Sequence, residues 1–126
     1  DQDIESALFV LVHLFGHTVQ WNTSEEFRVL GQETATQIIR EALPRVFTYE
    51  REATALSLTL LHEVGVTSLD QWVSDWWDAD WRYLLHFFET GEKKDIRLLL
   101  HPGAERIVPR SIPMFTPTEY VSRWSY

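Results

Sequence analysis

Residues 8–17 read L-F-V-L-V-H-L-F-G-H, an almost unbroken apolar run whose only polar side chains are His13 and His17. At 3.6 residues per turn, positions four apart lie on one face of a helix a single turn apart, so one small cation can be held by both imidazoles. The run predicts a first helix over residues 3 to about 20, capped by Asp3 or Ser6. Its apolar positions cover nearly the whole circumference, which predicts a central helix buried on most sides. Burying two imidazoles without partners costs about a few kcal/mol each, so the pair is either satisfied within a core or engaged with a metal.

The spacing is that of the helical zinc motif H-E-x-x-H, with one residue changed: Leu14 stands where the glutamate general base belongs. A tetrahedral site of this kind needs a third protein ligand. The chain has no cysteine, so that ligand is His, Asp or Glu, and a reducing, cytoplasmic setting is expected. Its 126 residues, 44% hydrophobic and 24% charged, suit one folded domain spanning 1–126. With 19 acidic against 11 basic residues the formal charge is −8, which argues against nucleic acid or an anionic membrane as partner. The apolar run is too short and too polar to span a bilayer. Asp1, Asp3 and Glu5 precede it in place of the basic flank of a signal peptide, and the lack of an initial Met suggests trimming.

Along the chain, Asn22 to Glu26 gives a break and a fresh start, with Thr23 or Ser24 as cap and two glutamates near the positive end of the helix dipole. A second helix is expected from about residue 25 to 43, weakened at Gly31, apolar at Phe27, Leu30, Ile38, Ile39 and Leu43, and ended by Pro44. A third runs from near Thr48 to about Glu63, with Gly65 as its stop and small residues suited to close packing. A fourth opens at Ser68 and stops at Gly91, carrying Trp72, Trp76, Trp77 and Trp81. Residues 95–100 and 107–108 read as two short strands joined through His101-Pro102-Gly103-Ala104, a hairpin. A proline-rich tail follows, whose Tyr120, Trp124 and Tyr126 are expected to pin it to the body. The fold class is mainly α (α+β), with four helices, a small C-terminal β-hairpin and an extended tail.

Residues 50–61, E-R-E-A-T-A-L-S-L-T-L-L, resemble the second signature of the ImmA/IrrE-type metallopeptidases, roughly E-x-x-A-N-x-F-A-x-x-L-L. Residues 13–17 keep both histidines and the glycine of that family's first motif, and Glu50 follows His17 by 33 residues, close to the family's interval. The resemblance covers about residues 7 to 61. It implies a gluzincin-type, zincin-like helical core, His13, His17 and Glu50 as ligands of a divalent metal, zinc first, and a peptide or protein as substrate or partner. Glu52, two residues on and roughly 200° around the helix, is the second choice for the third ligand. For either glutamate alone, a charged first helical turn is the simpler account.

Departures bear on activity. Thr54, Leu56 and Ser57 replace the family's Asn, Phe and Ala, and no strand-like segment stands ahead of the histidine helix. Leu14 matters most, because the glutamate it replaces relays a proton from the metal-bound water to the leaving amine, and acid–base catalysis contributes about 10²–10⁴. Glu52, Asp78 and Asp80 are the carboxylates available to substitute, with Glu52 and Asp80 the leading pair. The two function classes are thus a metal-dependent hydrolase of peptide bonds and an inactive relative acting as a protein-interaction module through the tryptophan-rich helix 68–90. On that helix the tryptophans are better explained as an apolar core face, Trp72 and Trp76 with Trp77 and Tyr83 further round, and Asp75 and Asp78 solvated. His62-Glu63-Val64-Gly65-Val66 begins like a zinc helix but lacks the second histidine, which makes His62 a surface or core-edge residue. His86 and His101 have no partner at ligand spacing.

Overall fold

The computed structural model describes residues 1–34 and 40–118. Among the described residues four α-helices carry the architecture: α1 (Gln2–Thr23), α2 (Glu25–Thr34), α3 (Leu43–Glu63) and α4 (Asp70–Thr90). Short 3-10 turns at Arg40–Ala42 and Ile96–Leu99 lead into α3 and away from α4. No helix among the described residues is long and apolar enough to cross a membrane.

α1 starts earlier than expected, because the Asp1 side chain accepts from the Asp3 amide and caps it. The second helix is described over Glu25–Thr34, Leu43 opens α3 instead of closing that second helix, and Ile38 and Ile39 lie outside the described residues. Pro44 does not end that helix. It sits in the first turn of α3, where a missing N–H costs nothing and the fixed φ favours helix entry. Gly91, at φ 71°, closes α4 in the left-handed conformation that glycine adopts without strain.

α1 and α3 form the central pair. Phe9, His13, Gly16 and Gln20 make the buried stripe of α1, at helical spacing. A Cβ built on Gly16 would run into the Ala53 carbonyl and the Ser57 hydroxyl, well inside van der Waals contact, so the two backbones meet here. The Ser57 hydroxyl lies 2.9 Å from the Val12 carbonyl, a bond between the helices at the same level. α4 covers the other side of the core with Val73, Trp76 and Trp77, which pack with Phe9, Ala55, Leu58 and Ile107.

One expectation about the apolar pattern is corrected, and the choice between two readings of the tryptophans falls to the core face. α1 is not buried on most sides: Ile4, Leu8, Leu11 and Phe15 form an exposed apolar stripe opposite α3, flanked by Val10 and Leu14. A helix that is apolar all round fixes no number of partners, and here one face is covered. The tryptophans of α4 do not form an exposed docking surface. Trp76 and Trp77 are buried, and Trp72 and Trp81 pack against the same core.

The C-terminal hairpin is absent, and no strand occurs among the described residues. Asp95 caps the 3-10 turn by accepting from the Arg97 amide, which turns Ile96–Leu99 away from a strand path. The amides that a ladder would need are spent elsewhere. Gly103 and Ala104 donate to the Asp75 carboxylate, Ile107 to the Ser74 hydroxyl and Arg110 to the Ala55 carbonyl. Residues 103–110 are therefore an extended strap laid across α3 and α4, with buried Ile107 as its anchor. Tyr120, Trp124 and Tyr126 lie outside the described residues.

Candidate metal centre

α1 and α3 run side by side so that His13 and His17, one turn apart, face Glu50 in the second turn of α3. The His13 Nε2 to Glu50 Oε2 distance is 2.8 Å, His17 Nε2 to Glu50 Oε2 is 3.1 Å, and the two Nε2 atoms are 2.9 Å apart. Among the described residues these three form the one group whose ligand atoms converge, all within 4.8 Å of one another.

Two polar side chains that sequence reasoning missed set the imidazole tautomers. Thr54 Oγ1 donates to the Glu50 carbonyl, so its oxygen accepts from His13 Nδ1 at 3.0 Å. Gln20 is fully buried. Its amide nitrogen donates to the Tyr49 carbonyl at 2.8 Å, which turns its oxygen toward His17 Nδ1 at 2.9 Å. With both Nδ1 atoms donating, an imidazole in its neutral form turns a bare Nε2 toward the Glu50 carboxylate. Carrying the ligand's second nitrogen on a fixed acceptor is how metal-binding histidines are oriented. The Tyr49 ring packs on His17 with centroids 4.6 Å apart, its phenol accepts from Trp21, and burial pushes that phenol's pKa up.

Burial pushes the Glu50 carboxyl up, but hydrogen bonds from His13 and His17, in the state where Nε2 carries a proton, outweigh it and bring it down to about 2. Glu50 is an anion at neutral pH. Three acceptors without a hydrogen between them are a repulsive set unless a cation or an added proton enters. Metal–ligand distances near 2.0–2.1 Å at tetrahedral angles separate donor atoms by roughly 3.3 Å. The observed separations fall just inside that value, so a small outward shift accommodates the ion.

No model of a known protein family, no curated protein and no solved structure matches this chain. The centre is therefore read from its own geometry.

The remaining expected residues are sorted by their partners. Glu52 points away from the centre and pairs with Arg110 at 2.7 Å, so it is neither the third ligand nor a base for it. Asp78 pairs with Arg82 at 2.6 Å. His62 meets Asp70 at 2.7 Å across the turn between α3 and α4, a core-edge position, while His86 faces Thr90 and His101 is exposed. Leu14 is 54% exposed on the bare side of α1.

Asp80 of α4 is different. Burial raises its carboxyl to about 6, the charge of Glu50 adds to the rise, and His13 and His17 oppose it. It feels all three residues of the centre without being one of the converging donors. A folded-state carboxyl that keeps its proton to higher pH than the unfolded one, near 3.9, makes stability fall as pH rises through that window. Asp80→Asn is therefore expected to stabilise the metal-free protein by on the order of 2 kcal/mol above pH ~7, with the gain vanishing near pH ~4. Urea unfolding at several pH values checks this, and a gain independent of pH would remove Asp80 from a buried, ionisable role.

Proposed function

We propose that this protein binds one divalent cation through His13, His17 and Glu50, zinc being the ion that two imidazoles and a carboxylate suit best. The observation that carries the reading is the convergence of His13 Nε2, His17 Nε2 and a Glu50 carboxylate oxygen within 3.1 Å of one another, with both Nδ1 atoms held by Thr54 and Gln20. A zinc ion held there would supply Lewis-acid polarisation of a carbonyl and acidify a bound water. The partial resemblance of residues 7–61 to the ImmA/IrrE-type metallopeptidases supports a peptidase-like domain, and Thr54, one of the departures from that signature, still offers an acceptor to His13.

For hydrolysis of peptide bonds the chain lacks a carboxylate at position 14. Leucine neither takes nor gives a proton. Asp80, protonated or ionised near neutral pH and within electrostatic reach of all three ligands, is the residue best suited to hold and move one. Metal binding with weak or absent peptide cleavage is the function these features support best. The inactive, interaction-module reading is favoured by the bare apolar stripe on α1.

Metal analysis after dialysis against zinc is expected to return one equivalent per chain, and no retained zinc would overturn the proposal. On a peptide library, Leu14→Glu is expected to exceed the parent by about 10²–10⁴ in rate. Parent activity that disappears in Asp80→Asn assigns the proton transfer to Asp80. A zinc-loaded Leu14→Glu protein that cleaves nothing counts against hydrolysis and for the interaction module.

A further inference from the structure

On another face of α3 from the centre lies a groove of about 490 Å³ between that helix and the strap. That volume is within the range of small-molecule sites. Its apolar surface is Phe47 and the exposed Val108 over buried Ala55 and Ile107, and three arginines, Arg51, Arg106 and Arg110, stand around it with Glu52 and Glu105. Three of the 11 basic residues of a chain with net charge −8 thus converge on one cavity. We propose that this groove binds an organic monocarboxylate with an apolar body, independently of the metal centre.

The groove is prebuilt. Its outer wall is fixed where the Arg110 amide donates to the Ala55 carbonyl, the Thr59 hydroxyl donates to the Arg110 carbonyl, and the Ile107 amide donates to Ser74. The Arg51 guanidinium is held over the Trp77 ring at 5.8 Å, and Arg110 is tied to Glu52. Arg106 has no ion pair or hydrogen bond among the described residues. Arg51 pairs with Glu105 at 3.2 Å, but the Glu105 side chain is 87% exposed. A bridge so exposed contributes about 0–1 kcal/mol, so an incoming carboxylate replaces it at little cost.

Charge selects the ligand. Three guanidinium groups against two carboxylates leave one net positive charge, which one carboxylate neutralises and a phosphate dianion overfills. The planar guanidinium fork matches a carboxylate in two parallel hydrogen bonds, and the apolar wall takes the hydrocarbon. A small acid and a free peptide C-terminus share this chemistry.

The test is titration of the full chain with 4-phenylbutyrate, followed by NMR of backbone amides and arginine Nε–H groups. Saturable shifts are expected at Ala55, Ile107 and Val108 and at Arg51 and Arg106. Phosphate is expected to bind at least about tenfold more weakly, and Arg106→Gln and Arg51→Gln to weaken 4-phenylbutyrate by about tenfold each, in line with charge-assisted hydrogen bonds. Arg106 is exposed and has no ion pair or hydrogen bond among the described residues, so its variant is expected to keep the parent spectrum away from the groove. An acetylated tripeptide ending in phenylalanine, compared with its amide, tells the sources apart: a preference for the free acid exceeding 4-phenylbutyrate assigns a peptide C-terminus, and weaker binding assigns a small acid. An equal response to 4-phenylbutylamine, tighter phosphate binding, shifts that map elsewhere or an unchanged affinity in Arg106→Gln would each overturn the proposal.

Discussion

His17→Ala is expected to abolish retention of one zinc equivalent and, with it, the thermal stabilisation that zinc gives the parent chain. A ligand that binds only the folded state stabilises it by about 4 kcal/mol when present at a thousand times its Kd. The substitution removes one of three donors and leaves His13 and Glu50, too few for a tetrahedral protein site. It also frees the Gln20 oxygen that held His17 Nδ1 at 2.9 Å. Glu50→Gln separates the site from the fold. Its amide can donate to the bare Nε2 atoms, so the metal-free protein is expected to keep its structure within about 1 kcal/mol, while the lost charge removes zinc uptake. Calorimetric titration with zinc and thermal melts with and without chelator read both effects. A parent melt insensitive to zinc, or a His17→Ala protein that still takes one equivalent, would contradict the assignment. Affinity is expected to fall as pH is lowered, since both imidazoles bind metal only when neutral.

Gly16→Ala carries the second large effect, on stability. In an ordinary helix interior this change gains about 1 kcal/mol from propensity. Here the added methyl meets the Ala53 carbonyl and the Ser57 hydroxyl. Backbone cannot step aside as a flexible side chain does, so α1 and α3 must separate, breaking the Ser57 to Val12 bond and loosening Phe9 and His13 on the same stripe. A loss of about 3 kcal/mol or more is expected, at the upper end of overpacking effects. Zinc affinity should fall as well, because His13, His17 and Glu50 sit on the two helices being forced apart. Urea midpoints measure the first effect, and a variant as stable as the parent would mean that the helices do not meet at Gly16.

The central helix and its histidine pair were legible because helical periodicity acts over four residues. Glu50 was named through a resemblance to a second motif, and its carboxylate does converge with the two imidazoles. Thr54 and Gln20 were not legible: their value depends on which way Glu50's carbonyl and Tyr49's carbonyl face, and that is decided when α1 packs on α3. Among carboxylates, sequence could not separate Glu52 from Asp80, since only packing puts one beside Arg110 and pushes the other into a buried position. The failed hairpin has the same origin. Ile96, Leu100 and Ile107 are apolar because they cover the α3 and α4 core, and their backbone partners are side chains of α4 rather than another strand.

The centre also has a mechanical side. His17 and Glu50 are 33 residues apart, and the chain between them includes α2. A bond across that junction closes the intervening loop as a disulfide would, in a chain that has no cysteine to do so. Unlike a disulfide, such a bridge is lost when the chain unfolds, so it acts by holding α1 on α3 in the folded state, with a stabilisation set by the binding itself. Were zinc bound as proposed, its withdrawal would raise the unfolding rate of α1 against α3 even where every other contact is intact.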